Sequence, residues 1–318
     1  MALFLSENDV KNLLTVALAM EAVESAHRDL ALGQAQDTPR ARTRLPQTML
    51  HILQGGLPAQ GVLGYKAYTS NRSGNRFLVH LFDAASGQLR AVLEADYLGM
   101  IRTGAASGVA AKWLARPNAT VAGVFGAGWQ AEGHVSAICA ALPLERVKVF
   151  SRKTDKLQAF CQRLSEVTGV AVVPAASAEE TVRGSDIVGT VTTAAQPLFD
   201  ADWLEPGAHI NAAGSNALTR QELSEAAVRR CDLITVDAVP TALAEAGDLL
   251  PLLEKGRLHA RQLVELGEVI VGRHGGRTDA GQITLFESQG MAIQDLAVAL
   301  RVVQLAEERG LGRELPLQ

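Results

Sequence analysis

The stretch from residue 120 to residue 142 leaves this chain little choice of fold. Thr120-Val-Ala-Gly-Val-Phe125 is a short apolar run of the kind that forms a buried strand. It breaks into Gly126-Ala127-Gly128-Trp129-Gln130-Ala131, and residues 129–142 then read as a helix. In a G-x-G-x-x-A turn the first glycine permits the tight bend. The second lets the backbone approach a pyrophosphate, and the small Ala131 lets the helix pack on the strand. Free N–H groups at the helix start then face the phosphates. So short a motif is weak alone, and a purely structural tight turn is the competing reading. A strand before it and a helix after it are the context that gives it meaning.

Beyond residue 142 the chain keeps the same rhythm. Residues 146–150, 170–173, 186–192, 209–213 and 233–239 read as strands, and residues 153–168 and 220–230 as helices. Strands alternating with helices predict a parallel sheet covered on both faces. The fold class is therefore α/β, with a Rossmann-type doubly wound parallel sheet. Upstream the character differs. Residues 7–33 read as a helix, and residues 49–53, 62–69, 77–82 and 91–93 as short antiparallel strands with a turn at Ser86-Gly87. A helix rich in small residues covers 96–115 and stops at Pro117. Another covers 291–309. These patterns divide the chain into a dinucleotide-binding domain over 117–285 and an α+β domain made from both chain ends, 1–116 with 286–318.

Bulk properties exclude several classes. The 318 residues are 47% hydrophobic and 20% charged, with a net charge of −4 and no basic stripe, so no nucleic-acid partner is expected. Cys139, Cys161 and Cys231 lie far apart, without metal-ligand spacing or a disulfide framework. They read as reduced thiols, and no metal is expected. Glu7, Asp9 and Lys11 interrupt any signal-like apolar run, and no apolar stretch reaches the roughly 18–20 residues that span a bilayer. A soluble cytoplasmic protein without membrane partners is the expectation.

Two further sites stand out. The second strand of the dinucleotide domain ends in Ser151-Arg152-Lys153, with no carboxylate before Asp155. An acid there would hold a ribose 2′-hydroxyl, whereas a cation suits a 2′-phosphate. The sequence favours NADP(H), and NAD(H) stays open. Thr190, Val191 and Thr192 end a strand whose carboxyl edge lines the ligand crevice. In the first domain Lys66 and Arg102 sit in apolar surroundings, and Arg40 and Arg42 share one face of an extended segment. Buried cations are costly unless paired. With few acids nearby, they are candidates to share a bound carboxylate. Taken singly, each also reads as a snorkelling surface residue.

Several segments together resemble the ornithine cyclodeaminase/μ-crystallin family over nearly the whole chain. They are residues 39–42, Leu63-Gly-Tyr-Lys66, Arg102-Thr-Gly-Ala-Ala-Ser107, Gly126–Ala131, Pro206–Gly214, Glu222-Leu223, residues 266–270 and Phe286–Ala292. The resemblance implies a homodimer, with the α+β domain binding substrate and dimerising. It implies hydride transfer at the α-carbon of an α-amino or α-imino acid. Lys66, Arg102 and one of Arg40 and Arg42 would hold the substrate carboxylate, spacing favouring Arg42. Thr103, Gly126, Ala127, Gly128, Gln130, Ala131, Ser151, Arg152, Lys153, Thr190, Val191, Thr192, Gly214 and Ser215 would contact the cofactor. At Asn216 the chain departs from cyclodeaminases and alanine dehydrogenases, which carry an aspartate there as acid/base. Asparagine cannot take up a proton. Ketimine reductases of the μ-crystallin type also lack that aspartate. The resemblance therefore implies NADPH-dependent reduction of an α-imino or cyclic ketimine carboxylate to an L-amino acid, of the pyrroline- or piperideine-2-carboxylate reductase type. The substrate would arrive already protonated as an iminium, or Lys66 would donate the proton; Asn216 would orient the imine nitrogen or a water. An ornithine cyclodeaminase, an alanine-dehydrogenase-like enzyme and a non-catalytic crystallin-like NADPH-binding protein are the alternatives.

Overall fold

Ser6 separates the first strand, β1 (Ala2–Leu5), from the first helix, α1 (Glu7–Leu13), in a computed structural model that describes residues 2–316. Its hydroxyl accepts from the Asp9 amide at 3.3 Å while the Asp9 carboxylate accepts from the Ser6 amide at 2.9 Å. The sequence places one helix over residues 7–33, but the structure contains two. Leu14 is extended, and Thr15 caps α2 (Val16–Ala31), its hydroxyl accepting from the Leu18 amide at 3.2 Å. Apolar spacing continues across the break, so periodicity alone conceals it.

Five strands come next: β2 (Gln36–Arg44), β3 (Thr48–Leu57), β4 (Val62–Asn71), β5 (Gly74–Asp83) and β6 (Leu89–Glu94). Each pairs antiparallel with its successor. Pro39 falls where the β2–β3 register shifts between Thr38 and Ala41, a place where its missing N–H costs no ladder bond. The helix α3 (Asp96–Leu114) ends this part of the chain.

Then strands and helices alternate: β7 (Val121–Phe125), α4 (Trp129–Ala141), β8 (Arg146–Phe150), α5 (Leu157–Thr168), β9 (Ala171–Pro174), α6 (Ala178–Val182), β10 (Ile187–Thr190) and β11 (His209–Ala212). After these come α7 (Glu225–Arg229), β12 (Leu233–Val236), α8 (Val239–Glu245), α9 (Leu250–Glu254), β13 (Leu263–Glu265), α10 (Leu266–Ile270) and β14 (Thr284–Glu287). The chain closes with α11 (Ala292–Arg309) and β15 (Arg313–Leu315). Two helices start later than the sequence suggests. α5 begins at Leu157 rather than 153, and α7 at Glu225 rather than 220. Before α7, the amides of Glu222 and Leu223 donate to the Asp248 carboxylate instead of joining a helix.

The molecule divides into two compact units. One is the chain up to Arg102 together with Gly290 onward; the other is Thr103–Gln289. The division falls within α3, whereas the sequence draws it at Pro117, where that helix has ended. β14, across which the sequence draws its second boundary, lies wholly in the parallel sheet.

In the first unit the sheet order is β15-β1-β6-β5-β4-β3-β2. α11 packs on one face against β3, β4 and β5, and against α2. Gly55 and Gly64 pair across β3 and β4, and a Cβ on either would stand 3.1 Å from Ile293 or Leu296 of α11. Their bareness lets the helix lie close to the sheet. Side chains alternate between faces, so Leu53 and Lys66 point toward α11 and are buried, while Leu50, Leu63 and Leu78 point the other way and are exposed.

In the second unit all eight strands are parallel, in the order β13-β12-β14-β11-β10-β7-β8-β9. From β7 the chain winds outward through β8 and β9, then returns to β10 on the other side of β7. That reversal is a topological switch point, where open α/β sheets bind ligands. Apolar cores cover both faces. One contains Val124, Val135 and Val149, the other Phe125, Val188 and Ile210.

Candidate active site

The glycine turn sits at the switch point. Gly126 has φ +116°, a conformation L side chains rarely adopt, and a Cβ there would lie 2.8 Å from the Val191 carbonyl oxygen at the end of β10. Gly128 is the N-cap of α4 and has no side chain to cap the helix. A Cβ on Gly128 meets nothing within 4 Å, so space lies open above the turn. Ala131, on the first turn, is fully buried against the sheet. Uncapped amides, open space and a bare backbone are what a pyrophosphate requires, and these residues fit a dinucleotide. Ser151, Arg152 and Lys153 lie just past β8, the neighbouring strand. Arg152 and Lys153 are exposed, and the Ser151 hydroxyl accepts from the Lys153 amide at 3.2 Å.

Buried acids hold two further loops of this unit, those after β10 and β11. Glu222 is fully buried, and its carboxylate accepts from the Thr192 amide at 2.6 Å and the Gly214 amide at 2.8 Å. One side chain thus ties the segment after Thr190 and Val191 to the segment after β11. Burial raises the Glu222 pKa to about 7. The Ser215 hydroxyl donates to Glu287 at 2.5 Å, and burial together with Asp248 raises Glu287 well above the usual carboxylate range. Asn216, next in the loop, accepts from the Arg220 guanidinium at 3.1 Å.

The first unit carries the second constellation. Lys66 on β4 and Arg102 on α3 are both buried, with Thr103 next on the same helix. The sequence shows few acids near them. The structure supplies one from far along the chain, Asp295 on α11. Lys66 Nζ lies 2.8 Å from its Oδ1 and 2.7 Å from its Oδ2, and Arg102 Nε lies 2.8 Å from Oδ1. Arg102 Nη1 donates to Gln294 Oε1 at 3.0 Å, and the Gln294 amide nitrogen meets the ring of buried His27 at 3.1 Å. Gly290, with φ +77°, leaves room for that guanidinium, because a Cβ would stand 2.5 Å from Arg102 Nη1.

The cations outnumber the acid. Burial, then Arg102, then Arg40 lower the Lys66 pKa to about 7, against the pull of Asp295. Arg40 is half-buried and acts on Lys66. Arg42 is exposed and acts on His51, which burial and both arginines hold neutral with a pKa of about 4. The structure therefore gathers Lys66, Arg102 and Arg40 in one unit. It sets the glycine turn, Ser151–Lys153, Thr190–Thr192 and Gly214–Asn216 at the carboxyl ends of β7, β8, β10 and β11 in the other. Asp295, Gln294 and Glu222 are absent from the site read in the sequence. The signal for Asp295 is a polar Gln-Asp pair inside the apolar run Met291-Ala-Ile-Gln-Asp-Leu-Ala-Val-Ala-Leu300.

A doubly wound parallel sheet with an open glycine turn, together with a unit that buries two cations on one carboxylate, defines a Rossmann-type α/β protein. The chain belongs to the ornithine cyclodeaminase/mu-crystallin family, whose model matches residues 1–310. It is 33% identical over 323 residues to a Delta(1)-pyrroline-2-carboxylate reductase of Bacillus cereus, covering 98% of this chain and 99% of that one. Its fold matches the Thermococcus litoralis Delta(1)-pyrroline-2-carboxylate reductase solved with NADH and L-proline, with a TM-score of 0.94 at 30% identity over 98% of this chain and 100% of that one. An archaeal alanine dehydrogenase dimer with bound NAD matches with a TM-score of 0.93 at 32% identity, over 100% of this chain and 99% of that one.

Proposed function

We propose that this protein is an imine reductase that converts an α-imino carboxylate of the Δ1-pyrroline-2-carboxylate class to the L-amino acid, using a nicotinamide dinucleotide. The reading is carried by the buried Lys66–Arg102 pair with Arg40, a cationic site for a small carboxylate, in a chain that has Asn216 rather than an acid in its β11 loop. The full-length likeness to the Bacillus and Thermococcus reductases supports it. Arg40, half-buried and felt at Lys66, is assigned to the substrate carboxylate in preference to Arg42.

Bound at the glycine turn, the dinucleotide supplies a hydride. The chain's own residues do the rest. Arg40 and Arg102 hold the carboxylate and fix the α-carbon for attack. Lys66, with a pKa of about 7, holds a proton near neutrality and can release it to the imine nitrogen. Asn216 orients that nitrogen or a water. Release of ammonia from ornithine would need a base to activate water, and Asn216 cannot serve as one. Arg152, at the end of β8 with no acid before Asp155, favours NADP(H) over NAD(H) by pairing with the 2′-phosphate. The assembly is a homodimer in this reading. The archaeal alanine dehydrogenase dimer supports it, as do Leu50, Leu63 and Leu78, exposed on the sheet face away from α11.

The test is oxidation of NADPH and NADH, run in parallel against Δ1-pyrroline-2-carboxylate, Δ1-piperideine-2-carboxylate, pyruvate with ammonia or methylamine, and ornithine with NAD. Turnover of a cyclic imine with NADPH preferred is the expected result. Ammonia released from ornithine with every imine silent overturns the assignment. Turnover confined to pyruvate with ammonia moves it to an amino-acid dehydrogenase. Sedimentation at micromolar concentration gives a dimer, and a monomer there removes the homodimer.

A further inference from the structure

We propose that Asp295 is a positioning residue: its buried carboxylate, clasped between Lys66 and Arg102, fixes both cations and keeps the Lys66 ammonium loaded with its proton. The proposal rests on Lys66 being the proton donor and extends that role to a residue that meets the substrate only through others.

Asp295 is fully buried on a stretch of α11 whose neighbours Leu296, Ala297, Val298 and Ala299 are equally buried and apolar. A carboxylate in such a place is stable only if cations hold it. Both of its oxygens lie within 2.8 Å of Lys66 Nζ, and Oδ1 also receives Arg102 Nε. Arg102 is in turn braced by Gln294, and Gln294 by His27. The carboxylate is therefore the shared anchor of two side chains that start from different elements, β4 and α3.

Charge gives the anchor a chemical consequence. The groups facing Lys66 are Arg102 from α3, Arg40 from β2 and Asp295 from α11. His27 from α2 is reached through Gln294, and His51 of β3 is neutral beside Arg40 and Arg42. The β5 residue opposite Lys66 is the apolar Val79, and His80 stacks on Tyr65 of the opposite face. At Lys66, therefore, two guanidiniums oppose one carboxylate. Burial and two guanidiniums push Lys66 toward the neutral amine, and Asp295 is the opposing charge. A neutral amine has no proton to give an imine, so loss of the carboxylate removes the donor at working pH. An incoming substrate carboxylate adds a second anion beside the remaining cations.

The test reads Lys66 itself. Protein carrying isotope-labelled lysine is titrated by NMR without substrate or dinucleotide, the Lys66 signal being assigned by its loss in K66R. In wild type it titrates near 7. In D295N the midpoint falls by at least about one pH unit, a tenfold loss of the protonated form above the wild-type midpoint. An unmoved midpoint in D295N overturns the proposal, whatever happens to activity. D295S removes the same charge and serves where D295N does not fold, with the same fall expected and an unmoved midpoint again overturning the proposal. The alkaline limb of kcat for imine reduction then moves with the midpoint. A moved midpoint in a protein that reduces no imine refutes the imine reductase function and leaves the anchoring role of Asp295 standing.

Discussion

Lys66 combines burial with a pKa near 7, which few lysines do, and its neighbours explain both. A lysine that is half protonated at neutrality is a proton donor in the pH range where general acids work best. K66A is expected to lower imine turnover by about 10²- to 10⁴-fold, the usual worth of a positioned acid. Dinucleotide affinity, read by quenching or energy transfer from Trp129 at the glycine turn, stays within about twofold of wild type, because the nucleotide residues belong to another unit. Loss of nucleotide binding in K66A would mean that Lys66 supports the fold rather than the chemistry. Arg152 gives a cleaner prediction, since it is exposed and removing it strands no partner in the interior. R152A should raise KM for NADPH about tenfold while leaving KM for NADH unchanged, the worth of one charge-assisted phosphate contact. At this scale the sequence is legible where chemistry is local. Lys66 and Arg102 stand out because each is a cation in an apolar run. Asp295 does not, because its partner Lys66 lies 229 positions away and no pattern along the chain records that separation.

The elements show the same division between local and distant causes. The small-residue run in α3 is visible in the sequence, and its purpose is visible only in three dimensions. Gly104 and Gly108 lie against Gly133 and Ala137 of α4, so close that a Cβ on Gly104 would stand 2.2 Å from the Gly133 carbonyl oxygen. Alanine in place of a helical glycine ordinarily gains about 1 kcal/mol of helix propensity. Here the obstacle is backbone on the helix that carries the glycine turn, and neither helix can step aside without disturbing the sheet beneath. Overpacking should dominate, with G104A destabilising by about 1–3 kcal/mol in denaturant unfolding. A G104A protein as stable as wild type would show that the two helices part readily. Six of the eight strands of the parallel sheet are legible as short apolar runs; β13, three residues long, and β14 are not. β14 is preceded by a loop of Gly, Arg and Asp rather than a helix, and it inserts between β11 and β12. Nothing in a left-to-right reading signals that insertion.

Over the whole molecule, stability should respond to pH through buried groups in the second unit that pull in opposite directions. His209 is fully buried, bonded to Thr284 at 2.9 Å and Asn211 at 3.2 Å, and burial lowers its pKa from 6.5 to about 3. Between those values the unfolded chain binds the proton that the native state refuses. The contribution of His209 is therefore complete above 6.5 and is lost as pH falls toward 3. Glu222 has the reverse sign. Its native pKa of about 7 lies above the ordinary 4.5, so the native state binds the extra proton. Its contribution is complete below 4.5 and is lost as pH rises through 7. Where the two windows overlap the slopes oppose, giving a broad plateau instead of a sharp optimum. E222Q separates them. Glutamine keeps one acceptor for the Thr192 or Gly214 amide and turns an N–H toward the other, a fixed cost of about 1–3 kcal/mol at every pH. It also removes the ionisation penalty, which grows to about 3 kcal/mol by neutrality. The Tm of E222Q relative to wild type should therefore rise steadily between pH 4.5 and 7, starting below wild type at the acid end. A difference that stays constant across that window would mean Glu222 enters the fold already ionised. In that case its grip on the Thr192 and Gly214 loops is that of a charged acceptor, and pH should leave dinucleotide affinity unchanged as well.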